Sequence, residues 1–325
     1  MRVSNEMMND EVRNLGRGMR LFNFRNETMF RGAAWLTRKV MLGRTSKLLD
    51  CSEVSVQRSD GSLLRLCVYK SLQGAQGVPG VLWIHGGGYA TGVPEMDLSY
   101  YQMLVEQHNC VIVAPDYTLS IDKPYPAAID DCYLALLWMK QHADELGVND
   151  EQLFIIGRSA GGGLTAALTM LARDRGEVNV AFQMPMYPML DDGNDSASAQ
   201  DNTAPVWDAR SNELAWKLYL GEAYGADRVP PPYAAPARAD DYRNLPPTYT
   251  FVGTIEPFYD ETLQYIADLQ QAGVEATVDT YEGCYHAFDQ LCANTEIGKL
   301  ATKRWLEQYK YAAEHYFAPQ FTDEK

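Results

Sequence analysis

Six short apolar runs, separated by stretches of helical periodicity, constrain this chain of 325 residues more than any other feature. They are "VLWI" (81–84), "CVIVAPDY" (110–117), "LFII" (153–156), "VAFQMPMY" (180–187), "TYTFVG" (248–253) and "EATVDTY" (275–281). Runs that stay apolar without alternating suit strands buried on both faces, and such strands need helices to cover them. The intervening stretches supply these. From Pro126, apolar residues recur at Ile129, Cys132, Tyr133, Leu136 and Leu137, and after Ser159 at Leu164, Ala167, Leu168 and Leu171. The pattern predicts an α/β fold around a mostly parallel sheet with helices on both faces.

Upstream, "EVSVQRSDGSLLRLCVYK" alternates across an Asp60-Gly61 turn and predicts a hairpin, with Val54, Val56, Leu64, Leu66 and Val68 on one side. Residues 1–48 mix Met, Leu, Phe and Trp with Arg and Glu at spacings that predict two amphipathic helices, one presenting Met8, Val12, Leu15 and Met19. Such faces need something to lie on. The interval from about 190 to 245 is too long for a simple crossover, contains its own helix "RSNELAWKLYLG" and the Pro-rich "VPPPYAAP", and reads as an insertion. No internal repeat is present, which argues against a solenoid.

Twenty-eight basic against 43 acidic residues leave a formal charge of −15, so nucleic acid and anionic membrane are not expected as partners. The N-terminus is broken by charge and lacks the apolar core of a signal peptide, and no run approaches the roughly 18 apolar residues of a membrane span. A cytoplasmic location is expected. The cysteines at 51, 67, 110, 132, 284 and 292 form neither a CxxC pair nor a zinc-spaced Cys/His set. Cys110 and Cys132 read as small core residues. All six are expected as free thiols, with a Cys284–Cys292 disulfide as the alternative, and no metal or cofactor is expected.

In "LFIIGRSAGGG" a strand ends at Gly157, Ser159 follows, and Gly161 precedes a helix. This Gly-x-Ser-x-Gly spacing presents a serine on a sharp turn at the N-terminus of a helix. Phosphate-binding readings fit less well: Leu164 stands where the Walker pattern needs Lys, and a dinucleotide fingerprint belongs nearer the start of its sheet. In "WIHGGGYA" consecutive glycines let the backbone approach a substrate and aim N–H groups at an oxyanion; Gly86, Gly87 and Ala160 are the candidate donors. His85 reads as a brace for that loop. His108, His142 and His315 fall at or near helix ends or in the last helix, which suits surface positions and leaves His286, in the loop "YEGCYHAFDQ", as the candidate base. The acid that orients it should lie between serine and histidine in the chain: Glu256 in "TYTFVGTIE" is the first candidate and Asp260 the second.

With these pieces in order, the chain resembles the hormone-sensitive-lipase-like family of α/β-hydrolases, the bacterial carboxylesterases with an HGGG loop. The resemblance runs from about residue 50 to 315 and rests on "HGGGY", "DYTLSIDKPYPAAIDD", "GRSAGG", "GTIEPFYDE" and "YHAFD". It implies an α/β-hydrolase catalytic domain (49–325) with a helical cap built from residues 1–48 and part of 190–245. It also implies Ser159 as nucleophile, His286 as base, and Glu256 where the family most often has Asp. Gly86, Gly87 and Ala160 match the oxyanion donors. Arg158 replaces the acidic residue usual before the serine, and is expected to pair with a nearby carboxylate rather than to select an acidic substrate. The activity implied is hydrolysis of short-chain acyl esters by a serine carboxylesterase, requiring no cofactor. An amidase or acyltransferase on the same residues, a non-catalytic receptor of the same fold, and a homodimer stay open. Phe22, Phe24, Phe30, Trp35, Trp207, Trp216 and Tyr219 are the cap aromatics that would either close a small acyl pocket or form the cap's own core.

Overall fold

In the computed structural model, which describes residues 1–224 and 229–320, the apolar runs become neighbours in one sheet of eight strands. The strands are β1 (Leu49–Gln57), β2 (Leu63–Ser71), β3 (Val78–Ile84), β4 (Val111–Pro115), β5 (Val148–Arg158), β6 (Phe182–Met186), β7 (Thr248–Gly253) and β8 (Ala276–Tyr281). Their order is β1-β2-β4-β3-β5-β6-β7-β8. β1 and β2 form the expected hairpin, with Val54 opposite Leu66 and Val56 opposite Leu64, and β2 joins β4 antiparallel. From β4 to β8 every neighbouring pair is parallel. The helices are α1 (Asp10–Met19), α2 (Glu27–Met41), α3 (Leu98–His108), α4 (Ala127–Gln141), α5 (Ala143–Leu146), α6 (Ala160–Arg175), α7 (Ala209–Leu220), α8 (Tyr259–Gln271), α9 (Phe288–Leu291) and α10 (Glu296–His315).

The period of two along each strand decides the layers. Leu82 and Ile84 of β3 join Val111, Val113 and Ile155 against α4 and α6, through Ile129, Cys132, Leu136, Leu164 and Leu168. Val81 and Trp83 point the other way, with Ile112, Phe154 and Ile156, onto Tyr101 and Leu104 of α3 and Trp305 and Tyr309 of α10. Strands covered on both faces can be apolar throughout, hence the unbroken runs. β8 departs from that expectation. It is the sheet's last strand, paired on one side only, and Thr277 and Thr280 are exposed.

α1 also departs from its predicted face. Met8 and Val12 are buried, but Leu15 is exposed and Met19 only half-buried. The inward position is taken by Gly16, where an added Cβ would meet Tyr285 at 2.7 Å and Met8 Sδ at 2.8 Å. A glycine lets the helix sit so close, and an apolar spacing cannot reveal it. All six cysteines are free thiols; Cys284 and Cys292 are not bonded, and the Cys292 sulfur lies 3.3 Å from the Tyr285 hydroxyl.

The N-terminal helices and the insertion hold each other. Asn23 donates to the Ala204 carbonyl at 2.9 Å, the Phe24 N–H to Ser211 Oγ at 3.0 Å, and Phe30 stacks on Phe24 with centroids 3.9 Å apart. Both rings meet Trp207 edge-on, at 5.9 and 6.1 Å. Trp216 and Tyr219 of α7 pack on Tyr89. Of the cap aromatics, Phe30, Trp207, Trp216 and Tyr219 are therefore buried and Phe24 half-buried; Trp35 faces solvent because the inward side of α2 belongs to Phe30 and Ala34, and Phe22 does so in the 3-10 turn Arg20–Phe22, where no side chain is buried. Truncating a buried Phe removes packing worth about 3–5 kcal/mol. Phe30→Ala is expected to loosen this segment locally, so that limited proteolysis cuts within residues 20–48 about tenfold faster or more than in wild type; equal rates would count against the packing described.

Candidate active site

β5 runs to Arg158 and α6 begins at Ala160, which leaves Ser159 alone at the corner with φ 58° and ψ −121°. Few L residues hold such a conformation, and it persists only where the surroundings over-determine it. Here the Ser159 N–H donates to the Met186 carbonyl at 3.0 Å, and its own carbonyl accepts from Gly163 at 3.0 Å and Met189 at 3.1 Å. Gly157 and Gly161 make room: a Cβ on the first would overlap the Gly161 carbonyl, and one on the second the Ile84 carbonyl. The serine hydroxyl thus stands at the N-terminal end of α6, whose dipole favours negative charge beside it.

The glycine loop after β3 lies beside this corner. A Cβ on Gly86 would meet the Ser159 Cβ at 3.3 Å, so the two backbones are in contact. Gly87 takes φ 119°, and its carbonyl accepts from the Thr91 N–H and Thr91 Oγ1, both at 3.0 Å. Neither Gly86 nor Gly87 donates its N–H to a backbone carbonyl among the described residues. His85 braces the loop as expected. Its ring stacks on Tyr117 at 4.2 Å, its Nδ1–H donates to the Gly86 carbonyl at 2.8 Å, and burial pushes its pKa down, keeping it neutral.

The loop that leaves β7 and the loop that leaves the neighbouring parallel strand β8 meet beside the serine. The Ile255 N–H donates to the Cys284 carbonyl at 3.3 Å, and Gly283 donates to Thr254 Oγ1 at 2.9 Å. Gly253 lets them cross, since a Cβ there would overlap Cys284. The crossing brings Glu256 against His286: Nδ1–H donates to Glu256 Oε2, and Nε2, left as acceptor, lies 2.8 Å from Ser159 Oγ. Glu256 Oε1 accepts from the Gly253 N–H at 2.8 Å, so both carboxylate oxygens are occupied. Burial raises the Glu256 pKa, and its histidine and the Gly253 N–H pull it back. Asp260 does not reach the histidine: Oδ2 accepts from the Ser198 N–H at 2.7 Å, in the first turn of α8.

Arg158 pairs with a carboxylate, as expected, and the partner is Asp97. Both are buried, the guanidinium also donates to Gln290 at 3.1 Å and lies over the Tyr100 ring, and Asp97 accepts from Trp83 Nε1 at 2.8 Å. Around the histidine stand Tyr187 and Phe258, not singled out in the sequence, and Trp207, one of the expected cap aromatics. Tyr187 and Phe258 meet the His286 ring edge-on, at 4.9 and 5.0 Å, and Trp207 lies 6.3 Å from it. Trp207 also presses on Gly88, where a Cβ would overlap its ring. Glu261, buried, accepts from the Leu190 N–H at 2.7 Å and ties α8 to the start of the insertion. Phe258 and Glu261 stand within "GTIEPFYDE", but apolar or charged character there does not say which neighbour each meets. One set of metal-ligating atoms, from Glu53, Cys67 and Glu95, lies close together among the described residues. Arg65 already bridges the two carboxylates at 2.8 Å each, and burial pushes the Cys67 thiol up to about 12, so the set fits a metal poorly.

The family described as an alpha/beta hydrolase fold matches residues 81–290. The chain belongs to that family. Esterase LipI of Mycobacterium tuberculosis (strain ATCC 25618 / H37Rv) is 32% identical over 233 residues, covering 70% of this chain and 71% of LipI. Ethyl acetate hydrolase of Pseudomonas putida is 28% identical over 244 residues, 74% of this chain and 76% of that enzyme. The solved structure of a bacterial heroin esterase superposes with a TM-score of 0.88 at 29% identity, covering 96% of this chain and 99% of that one. The mostly parallel sheet, the inserted helical segment and the Ser–His–acid arrangement are those of an alpha/beta hydrolase with a cap. Together with these relatives they support a serine-hydrolase esterase function.

The Glu261 pKa is raised well above its ordinary value of 4.5, by burial first. The folded state therefore holds this proton more tightly than the unfolded chain, and the stability it contributes below pH about 4.5 is lost as pH rises through the folded pKa. Glu261→Gln keeps an acceptor for Leu190 without the charge. Its Tm relative to wild type is expected to climb as pH is raised above about 4.5, and a difference that stays flat with pH would refute the assignment.

Proposed function

We propose that this protein is a serine carboxylesterase of the bacterial HGGG type, cytoplasmic, acting on short-chain acyl esters. One observation carries the reading: Ser159 Oγ, His286 Nε2 and Glu256 form a continuous hydrogen-bonded line at the N-terminus of α6, beside a glycine loop in which the Gly86 and Gly87 N–H groups donate to no backbone carbonyl among the described residues. His286 takes the Ser159 proton as the hydroxyl attacks the ester carbonyl, and Glu256 holds the imidazole by Nδ1 and balances the imidazolium. The N–H groups of Gly86, Gly87 and Ala160 receive the oxyanion, each donor worth roughly 3 kcal/mol in the transition state. His286 then passes its proton to the departing alcohol oxygen, leaving an acyl group on Ser159. Water, deprotonated by the same histidine, releases the acid and restores the hydroxyl.

The test is the intact mass after fluorophosphonate treatment. Wild type is expected to gain one adduct, and Ser159→Ala and His286→Ala none, with ester turnover lowered about 10⁴-fold or more. An unmodified, folded wild type would favour the non-catalytic receptor instead.

The short-acyl preference is supported by Trp207. Its ring lies between Gly88 of the glycine loop and His286, so it walls the space beside Ser159, itself only 7% exposed. The acetate ester in the name of the Pseudomonas putida relative accords with a small acyl space. Trp207→Ala is expected to raise kcat/KM for an octanoyl ester relative to an acetyl ester about tenfold or more, the scale on which a hydrophobic pocket discriminates a few methylenes. An unchanged ratio would remove Trp207 from the acyl wall.

A further inference from the structure

Residues 1–48 carry ten Lys and Arg against four Asp and Glu, a local charge of +6 on a chain whose total is −15. Apolar exposure is concentrated in the same segment. Of the sixteen large apolar side chains exposed among the described residues, nine lie in it. α2 buries Phe30 and Ala34 on one side, while Trp35, Leu36 and Val40 on the other are 63%, 55% and 48% exposed. The 3-10 turn between α1 and α2 adds Leu21 and Phe22, 84% and 67% exposed. A cap needs only an inward apolar face, and this one turns a second toward water.

Basic side chains accompany that face in the same segment. Arg25, Arg31 and Arg38 are paired, with Asp208, Glu27 and Asp116. Arg17, Lys39, Arg44 and Lys47 are exposed and make no ion pair among the described residues. Lys39 lies over the Trp35 ring at 5.7 Å, so cation and apolar surface share one patch.

We propose that this face docks on an anionic lipid bilayer. Leu21, Phe22, Trp35 and Leu36 enter the headgroup boundary, and the unpaired Arg and Lys meet the anionic headgroups. The total charge of −15 is a sum over the whole chain, and at physiological salt, where the Debye length is about 8 Å, a surface feels mainly the charges close to it, here a segment of +6. A second copy docked face to face would set this segment of +6 against its like, which charge repulsion opposes. A nucleic acid would meet the charge and leave Leu21 and Leu36 in water. A bilayer satisfies both.

The experiment is co-sedimentation of the full chain with phosphatidylcholine vesicles, with and without about 30% phosphatidylserine, in low and in about 0.5 M salt. Partition is expected to be about tenfold or more stronger on the anionic vesicles, and to be lost in high salt. The combined Arg17→Glu, Lys39→Glu, Arg44→Glu and Lys47→Glu variant, and separately Trp35→Ser with Leu36→Ser, are each expected to lose it while turnover of a soluble short ester is unchanged. Ser159→Ala should partition like wild type, which separates this proposal from the catalytic one. Absent partition, or equal partition on neutral and anionic vesicles, would overturn the proposal. Self-association abolished by Trp35→Ser with Leu36→Ser, without vesicle binding, would assign the face to a second copy and overturn it as well.

Discussion

Ser159 holds a backbone geometry, φ 58° and ψ −121°, that would relax if the chain around it were free. It is kept there by strand β5 on one side, helix α6 on the other, and hydrogen bonds to Met186, Gly163 and Met189. Because the turn cannot yield, the chain around it is built to glycine tolerances, at Gly86 of the neighbouring loop and at Gly157 and Gly161 of the corner itself. The hydroxyl is thereby aimed at a fixed point, and the other groups of the site are brought to it rather than the reverse.

Bringing them requires a carboxylate, an imidazole and a guanidinium to lie inside the protein. Each is answered differently. Glu256 is satisfied by His286 and the Gly253 N–H, and the histidine is enclosed by Tyr187, Phe258 and Trp207. Arg158, directly before the serine, has Asp97 as its counter-charge, with Gln290 accepting from Nη1 and the Tyr100 ring beneath it, while Nε has no partner among the described residues. An unpaired buried charge costs several kcal/mol, so these partners are conditions for the site as much as parts of it. Polar groups that are fully engaged also cannot drift, and this keeps Nε2 of His286 at 2.8 Å from the serine oxygen.

Much of this was legible in the sequence for a definite reason. The strand runs could be read because a strand covered on both faces is apolar at every position, and Ser159, His286 and Glu256 because each lies a few residues past the end of such a run. Where a position's role depends on what lies across from it, the sequence is silent. Leu15 fits the apolar spacing of α1 yet faces solvent, because Gly16 takes the contact with Tyr285. β8 looks like an interior strand and is the sheet's edge. Trp35 and Phe22 look like cap core and are exposed, whereas Tyr187 and Phe258, unremarkable in the chain, enclose the histidine.

By itself, then, the sequence determined the α/β layering, the hairpin, the elbow at Ser159 and His286 as the candidate base, with two acids left to choose between. These follow from periodicity and from steric needs local to a few residues. Only the tertiary structure decided that Glu256 and not Asp260 faces His286, that Asp97 neutralises Arg158, and that Trp207 stands between the glycine loop and the histidine. Those choices depend on how loops from separate strands cross. The crossing is set by packing across distances in the chain, such as the 30 residues between Glu256 and His286 and the 61 between Asp97 and Arg158, that no local pattern encodes.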